Sequence, residues 1–361
     1  MRILILDTCY PAFLELHYAR NPGLGDRSYD DQWRSIMSCG FGTADAYSHY
    51  LQELGHPAHE VLLNCLPLQR QWLAEHRIGA RRSWFGGSGR TLGKIARAQA
   101  AEFEPDVIYV QDLKALTAEE LRALRKTARL LVGQLGTEAP DGSRLEAFDL
   151  VTTSFPHFVP WLRGLGVDSA YFRIGFDARA IDRIETSPRA GVVFVGSLLR
   201  PRWEQAIDRI ADAAEQVEID FYGYGVESWP ESSAVRRRYH GEAWGNDMLR
   251  LVGRARIALN RHGDVAGEYA NNMRLYEATG MGALLVTDDK ANLGDLFDVG
   301  GEIVVYRDSS ELVDRIRYYL DLDHEDERAR IAAAGQRRTL SEHTYEVRMQ
   351  ELVSILSARM S

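Results

Sequence analysis

Short runs of buried-type residues alternate with stretches of helical spacing along almost the whole chain. In the first half the apolar runs are Arg2–Leu6, Glu60–Leu63, Asp106–Val110, Leu130–Gln134, Leu150–Thr153 and Ala170–Ile174. Between them Thr43–Leu54, Arg90–Glu102 and Ala118–Thr127 carry the i, i+3, i+4 pattern of amphipathic helices. Continuous Ile, Leu and Val runs, rather than strict alternation, mark strands covered on both faces. Strand and helix in regular succession therefore predict a parallel sheet wrapped by helices.

The rhythm breaks at Asp177–Ala190, where Asp, Arg, Thr, Ser and Pro replace the apolar runs, as in an interdomain linker. A second set follows, with strands at Val192–Val195, Val217–Tyr222, Ile257–Asn260, Ala283–Thr287 and Glu302–Val305. Its helices fall near Trp203–Ala214, Asp247–Val252, Asn272–Thr279 and Ser310–Leu320. The tail from Asp326 to Ser357 reads as helical with a break near Gly335. The pattern predicts an α/β protein of two doubly wound, Rossmann-like domains, residues 1–180 and 181–340, facing a central cleft. Ligand is expected at the carboxyl ends of the strands.

At 361 residues the chain is long enough for two cores of ordinary size. A net charge of −9 excludes a general nucleic-acid binder, which needs a basic footprint, although a local basic pocket at Arg236-Arg237-Arg238 with Arg200 and Arg202 remains open. The three cysteines, Cys9, Cys39 and Cys65, match neither a disulfide framework nor a zinc pattern. The first apolar run stops at Asp7, too short for a signal segment, so a cytoplasmic location is expected. No transmembrane segment is expected; peripheral membrane contact and oligomeric state are left open.

Candidate chemistry gathers where strands end. Asn271, Arg274 and Glu277 are three apart, so they share or border one helix face, with Asn272 and Glu268 beside them. Amides, a guanidinium and a carboxylate at a helix start suit a phosphorylated, sugar-bearing ligand. Gly196-Ser197 follows strand Val192–Val195, and its backbone amides, with Arg200 and Arg202, suit a diphosphate. Gly223-Tyr224-Gly225 reads equally as a close-approach loop near a base or ribose, with Tyr224 at its centre, or as a flexible turn. Asn260 and His262 close another strand.

In the first half Asp7 ends strand one, and Asp45 opens the helix behind the glycines Gly40 and Gly42. Either carboxylate can serve as a base in a closed cleft; Asp45 is equally a first-turn residue favoured by the helix dipole. Glu138 and His157 follow further strands and complete the candidate catalytic set. Ser88–Ile95 imitates a phosphate loop without its first glycine or final Ser/Thr. Asp321-Leu322-Asp323 has the form of a metal motif but sits in a charged segment and reads as solvated surface.

These residues resemble a known family. Val193-Phe194-Val195-Gly196-Ser197-Leu198, Asn260-Arg261-His262 and Asn272 through Gly280 resemble the donor domain of group 1 glycosyltransferases with the two-domain B-type fold, particularly the spore-maturation branch. Asp7 through Pro11, Phe41 through Asp45, Ser154 through Phe158 and Tyr171 through Asp177 resemble the same branch, so the likeness spans nearly the whole chain. It implies a nucleoside-diphosphate sugar held by the second domain and a glycosyl acceptor on the first. It also implies transfer without metal or other cofactor, and a C-terminal helix (341–361) returning to the first domain. By position Glu277 would meet the donor ribose, and Gly196, Ser197 and Arg202 the diphosphate. The family's usual pair of glutamates is offset: Tyr269 stands eight residues before Glu277, and Glu268 one earlier. A nucleotide-sugar epimerase or hydrolase of the same fold, or a non-catalytic two-domain binding protein, are the alternatives.

Overall fold

The computed structural model describes residues 1–78, 91–200 and 206–360. The chain forms two compact units, Met1–Arg173 with Met349–Ser361, and Ile174–Arg348. Ser88 to Arg90 of the phosphate-loop lookalike, and Arg202, lie outside the described residues.

The first unit holds strands β1 (Ile3–Asp7), β2 (Ala58–Leu62), β3 (Val107–Val110), β4 (Leu130–Leu135), β5 (Leu150–Thr153) and β6 (Ser169–Tyr171), in the order β2-β1-β3-β4-β5-β6. Every pairing is parallel. Parallel neighbours need crossover helices, which cover both faces, so β1, β3 and β5 are buried over nearly their whole length. Thr117 and Glu120 close a reciprocal capping box at the start of Ala118–Arg125, the S/T-x-x-E signal of a helix start.

Helices Pro11–Arg20, Tyr29–Met37 and Leu66–Glu75 have no counterpart in the sequence reading. Their buried faces include polar groups, which blur the periodicity. Gln32, fully buried in the second of them, accepts from the Tyr18 hydroxyl at 2.8 Å and donates to the Arg27 carbonyl at 2.9 Å.

The second unit repeats the scheme with β7 (Val192–Val195), β8 (Asp220–Tyr222), β9 (Ile257–Asn260), β10 (Leu284–Asp288) and β11 (Val304–Tyr306), ordered β11-β10-β9-β7-β8 and again parallel throughout. The strand expected at Val217–Tyr222 keeps only its last three residues. The helical tail does not break at Gly335. Glu325–Glu342 runs through it, and a Cβ there would stand 2.4 Å from the Glu302 carbonyl, so the glycine serves close approach. The break falls at His343 and Thr344, ahead of helix Tyr345–Met360. That helix ends within the first unit, where Arg359 donates to Asp168 at 2.7 Å and Arg129 to the Met360 carbonyl at 3.0 Å. Among the described residues no helix is long and apolar enough to cross a membrane.

Candidate functional site

In the second unit β7 is flanked by β8 on one side and β9 on the other. The chain reverses its direction of travel across the sheet there, which opens a crevice at the carboxyl ends of β7 and β9. Gly196-Ser197 leaves one side of that crevice and Asn260-Arg261-His262 the other. Arg261 ties the two loops by donating to the Ser197 carbonyl at 3.3 Å.

Helix Met273–Gly280 starts beside this crevice. Asn272 stands in its N-cap position with extended backbone but supplies no cap. Its amide nitrogen instead donates to Asn260 Oδ1 at 2.7 Å and to the Arg261 carbonyl at 2.8 Å. Among the described residues the first-turn N–H groups therefore meet no side-chain acceptor, and the positive end of the helix dipole has no such partner. Such an end takes a phosphate. Arg274, in the first turn, donates to the Val195 carbonyl at 3.2 Å and so reaches the end of β7. Its Nη1 lies 2.9 Å from Glu277 Oε2, with both side chains 12% exposed. Burial raises the Glu277 carboxyl above its ordinary value, and the Arg274 charge opposes that rise. Among the described residues Arg274 Nε and Asn271 Nδ2 are buried donors without a hydrogen-bond partner. Spare buried donors are costly unless a ligand fills them.

Asn260 and His262 belong to one polar network that continues into β10. Asn260 donates to Thr287 Oγ1 at 3.0 Å, and the Tyr306 hydroxyl donates to the Asn260 carbonyl at 3.0 Å. Asp288 Oδ1 lies 2.7 Å from His262 Nδ1 and accepts the His262 amide at 3.0 Å. Burial pushes the Asp288 carboxyl up, but the His262 hydrogen bonds and the Lys290 charge outweigh it and hold the group below its usual range. The sequence reading missed Asp288 and Lys290, although a carboxylate closing a buried parallel strand is the same signal that marked Asn260.

The two glycine loops are tied to each other. The Gly196 amide donates to the Tyr222 carbonyl at 3.0 Å and the Leu198 amide to the Tyr224 carbonyl at 2.8 Å, so neither is spare for a diphosphate. A Cβ on Gly223 would stand 1.8 Å from the Gly196 carbonyl, and one on Gly225 2.6 Å from Leu199. These glycines let the two strand-end loops pack together. Tyr224 itself stacks on Trp244, 5.8 Å between centroids and 10° from parallel. Glu268 is exposed, and its carbonyl accepts from the Ala291 amide at 2.8 Å.

In the first unit the same reversal falls at β1, between β2 and β3. Asp7 closes β1 and accepts from the Thr8 amide at 2.8 Å. Burial, with Asp112 nearby, lifts its carboxyl to about 7 against the pull of the Thr8 amide. Thr8 Oγ1 donates to Asp112 at 2.7 Å. Asp45 precedes helix Ala46–Glu53 without capping it. Glu138 does not join the group: its side chain is 84% exposed and pairs with Lys114 at 3.5 Å. His157 sits between the Phe155 and Phe158 rings, and burial lowers its pKa. Asp321 accepts from the Asp323 amide at 3.1 Å, an exposed local turn. Among the described residues no three His, Cys, Asp or Glu side chains are arranged to hold a metal ion.

With this geometry in place, comparison with known proteins defines the fold class. Residues 186–354 match the family described as Glycosyl transferase-like. Across 99% of the chain the structure superimposes on all of Anabaena Alr3699/HepE, solved with UDP and glucose, at a TM-score of 0.63 and 17% identity. Sucrose-phosphate synthase of Thermosynechococcus elongatus gives 0.61 at 12% identity over 99% of both chains. A glycosyltransferase of Rickettsia africae ESF-5 gives 0.60 at 10% identity, over 98% of this chain and 97% of that one. No curated protein matches the sequence. The fold is therefore the glycosyltransferase B-type fold, two parallel-sheet α/β domains.

Proposed function

We propose that this protein is a glycosyltransferase, of the spore-maturation type, moving a sugar from a nucleoside-diphosphate sugar to an acceptor without a bound metal. The observation that carries the reading is the uncapped start of Met273–Gly280 at the β7/β9 crevice, with the Arg274–Glu277 pair inside its first turn. A helix dipole without a side-chain cap, a guanidinium and spare buried donors suit a diphosphate, and a largely buried carboxylate suits ribose hydroxyls. The solved complex of the Anabaena protein with UDP and glucose supports this class of ligand.

In the reaction the bond from the anomeric carbon to the diphosphate breaks, its electron pair going to the phosphate. A bond forms to the acceptor oxygen, whose proton passes to Asp7 on the first unit. Asp7 is the favoured base because it closes β1 where the order of the first sheet reverses, and burial lifts its carboxyl toward neutrality. The charge that develops on the diphosphate falls to the helix terminus and Arg274. Removing one well-placed donor of that kind costs roughly 2.7–4 kcal/mol of barrier.

A thermal-shift screen of nucleoside diphosphates and their sugars tests the donor. One of them should raise Tm selectively, by about 2.7 kcal/mol of apparent stability at a hundredfold excess over Kd. No shift from any of them would sink the reading. Transfer should persist in EDTA; transfer abolished by EDTA and restored by Mg²⁺ would remove the metal-free part alone.

A further inference from the structure

The first unit buries a second carboxyl that the proposed chemistry does not use. Glu60 lies in the middle of β2 and is 1% exposed. The register pairs Ile5 with Glu60 and Asp7 with Leu62, so Glu60 and Asp7 project from one face of the sheet on adjacent strands. Both line one cavity, otherwise walled by side chains such as Phe13, Met37 and Phe41. About 10 Å³ of it is open to the centre of a water molecule, the size of a single water site.

Among the described residues neither carboxyl has an ion-pair partner. The titratable groups around them are themselves acidic: Asp45 ahead of the helix behind β2, Tyr29 from the helix Tyr29–Met37, Asp112 after β3, and Cys9. An unpaired buried carboxylate escapes its desolvation cost by taking a proton. The hydrogen bonds around Glu60 accommodate that form. Oε1 accepts the Ser48 amide at 2.7 Å, Oε2 is bonded to Ser48 Oγ, and Ser48 Oγ lies 3.3 Å from the Asp45 carbonyl. A protonated Glu60 donates to Ser48 Oγ, which donates onward to the Asp45 carbonyl, so the Glu60 carboxyl and the Ser48 hydroxyl are both satisfied. Glu60 also receives the third amide of helix Ala46–Glu53, which its own N-cap residue does not.

We propose that Glu60 works as an uncharged carboxylic acid that closes the cavity behind Asp7, and is thereby a positioning residue for the acceptor-side base. The proposal rests on Asp7 being that base. Burial is the largest influence lifting Asp7 toward neutrality, and a neutral wall supplies burial without adding a charge.

Carboxyl-carbon NMR titration of the full chain without substrate tests it, in wild type, Glu60→Gln and Glu60→Ala. Glu60 should remain protonated at neutral pH in the wild type. Asp7 should titrate near neutrality in the wild type and in Glu60→Gln, which keeps an uncharged wall of the same shape. In Glu60→Ala water enters, and the Asp7 midpoint should fall by about one pH unit or more. An ionised Glu60 at neutral pH, or a Glu60→Gln shift as large as that of Glu60→Ala, overturns the proposal. The wild-type measurement decides even if Glu60→Ala fails to fold. In a transfer assay the pH dependence of kcat should follow the Asp7 midpoint in each variant. Normal turnover by Asp7→Asn, with the titrations as expected, would remove the base assignment and leave the role of Glu60 in closing the cavity standing.

Discussion

The two sheets reverse at equivalent points, and each places carboxylates there, but they treat the charge in opposite ways. At the carboxyl edge of the second unit Glu277 faces Arg274, and Asp288 faces His262 and Lys290. In the first unit Asp7, at that edge, and Glu60, one pleat back on β2, line a cavity with no cation beside them among the described residues. Pairing opposes the lift that burial gives a carboxylate, holding Asp288 below its usual range and limiting the rise at Glu277; isolation lets burial carry Asp7 and Glu60 to neutrality. A fixed array of charges suits recognition of a ligand that is always charged, such as a diphosphate. A carboxyl poised near neutrality suits proton transfer. Under the proposed function the same architecture serves binding in one unit and acid–base work in the other, because of which side chains follow the strands.

The contrast breaks most visibly at Arg274. Arg274→Met should cost about 3–5 kcal/mol of stability, because it strands the buried Glu277 carboxylate, and should abolish stabilisation by nucleoside diphosphates. Urea unfolding at unchanged m-value measures the first, and thermal shift the second. The double change with Glu277→Gln should recover part of the stability and none of the ligand response. A loss under about 1 kcal/mol for Arg274→Met would mean the pair is effectively solvated, like an ordinary surface ion pair.

Asp288→Asn probes the other pairing and should cost less, about 1.5–3 kcal/mol, the worth of hydrogen bonds to a charged group. The Asp288 carboxyl is held below its ordinary value, so its contribution is present above the unfolded pKa and is lost as pH falls through the folded one. The wild-type advantage should therefore shrink only at the acid end of a pH series of urea melts. An advantage that shrank instead on the alkaline side would show Asp288 to be unpaired.

Much of this was legible from the chain. Buried runs marked the strands, and the rule that ligands gather at their carboxyl ends picked out Asn260, His262, Arg274 and Glu277, which the structure places around one crevice. The rest depended on packing. Gly335 reads as a helix break in one dimension, yet it is the point where a helix presses on the Glu302 carbonyl. Gly223 and Gly225 read equally as ligand-approach or turn glycines, and nothing local shows that they face a neighbouring loop of the protein. Glu60 sits in a run whose neighbours are buried, and nothing local says whether its partner is a cation or a serine. That depends on which helix covers β2. Glu138, by contrast, lies after a strand in the expected way, yet its side chain is exposed and pairs with Lys114.

The smallest expected effect, at any one step of pH, separates the two edges most cleanly. Burial lifts Glu60 from 4.5 to about 8, and Ser48 only partly opposes it. A carboxyl raised on folding contributes stability that is complete below its unfolded value and is lost as pH rises through the folded one. Glu60 should therefore erode stability between about pH 4.5 and 8, by roughly 1.4 kcal/mol for each pH unit inside that window. Glu60→Gln removes the titration but keeps the hydrogen-bonding shape. Urea melts at successive pH values should show the variant gaining on the wild type by that amount from pH 6 to pH 7, and no further above the folded value. The direction is opposite to that for Asp288, which weakens the fold only toward acid. A wild type and a Glu60→Gln variant that lose stability in parallel across the window would place Glu60 among the ionised, paired carboxylates, and the difference between the two edges would disappear.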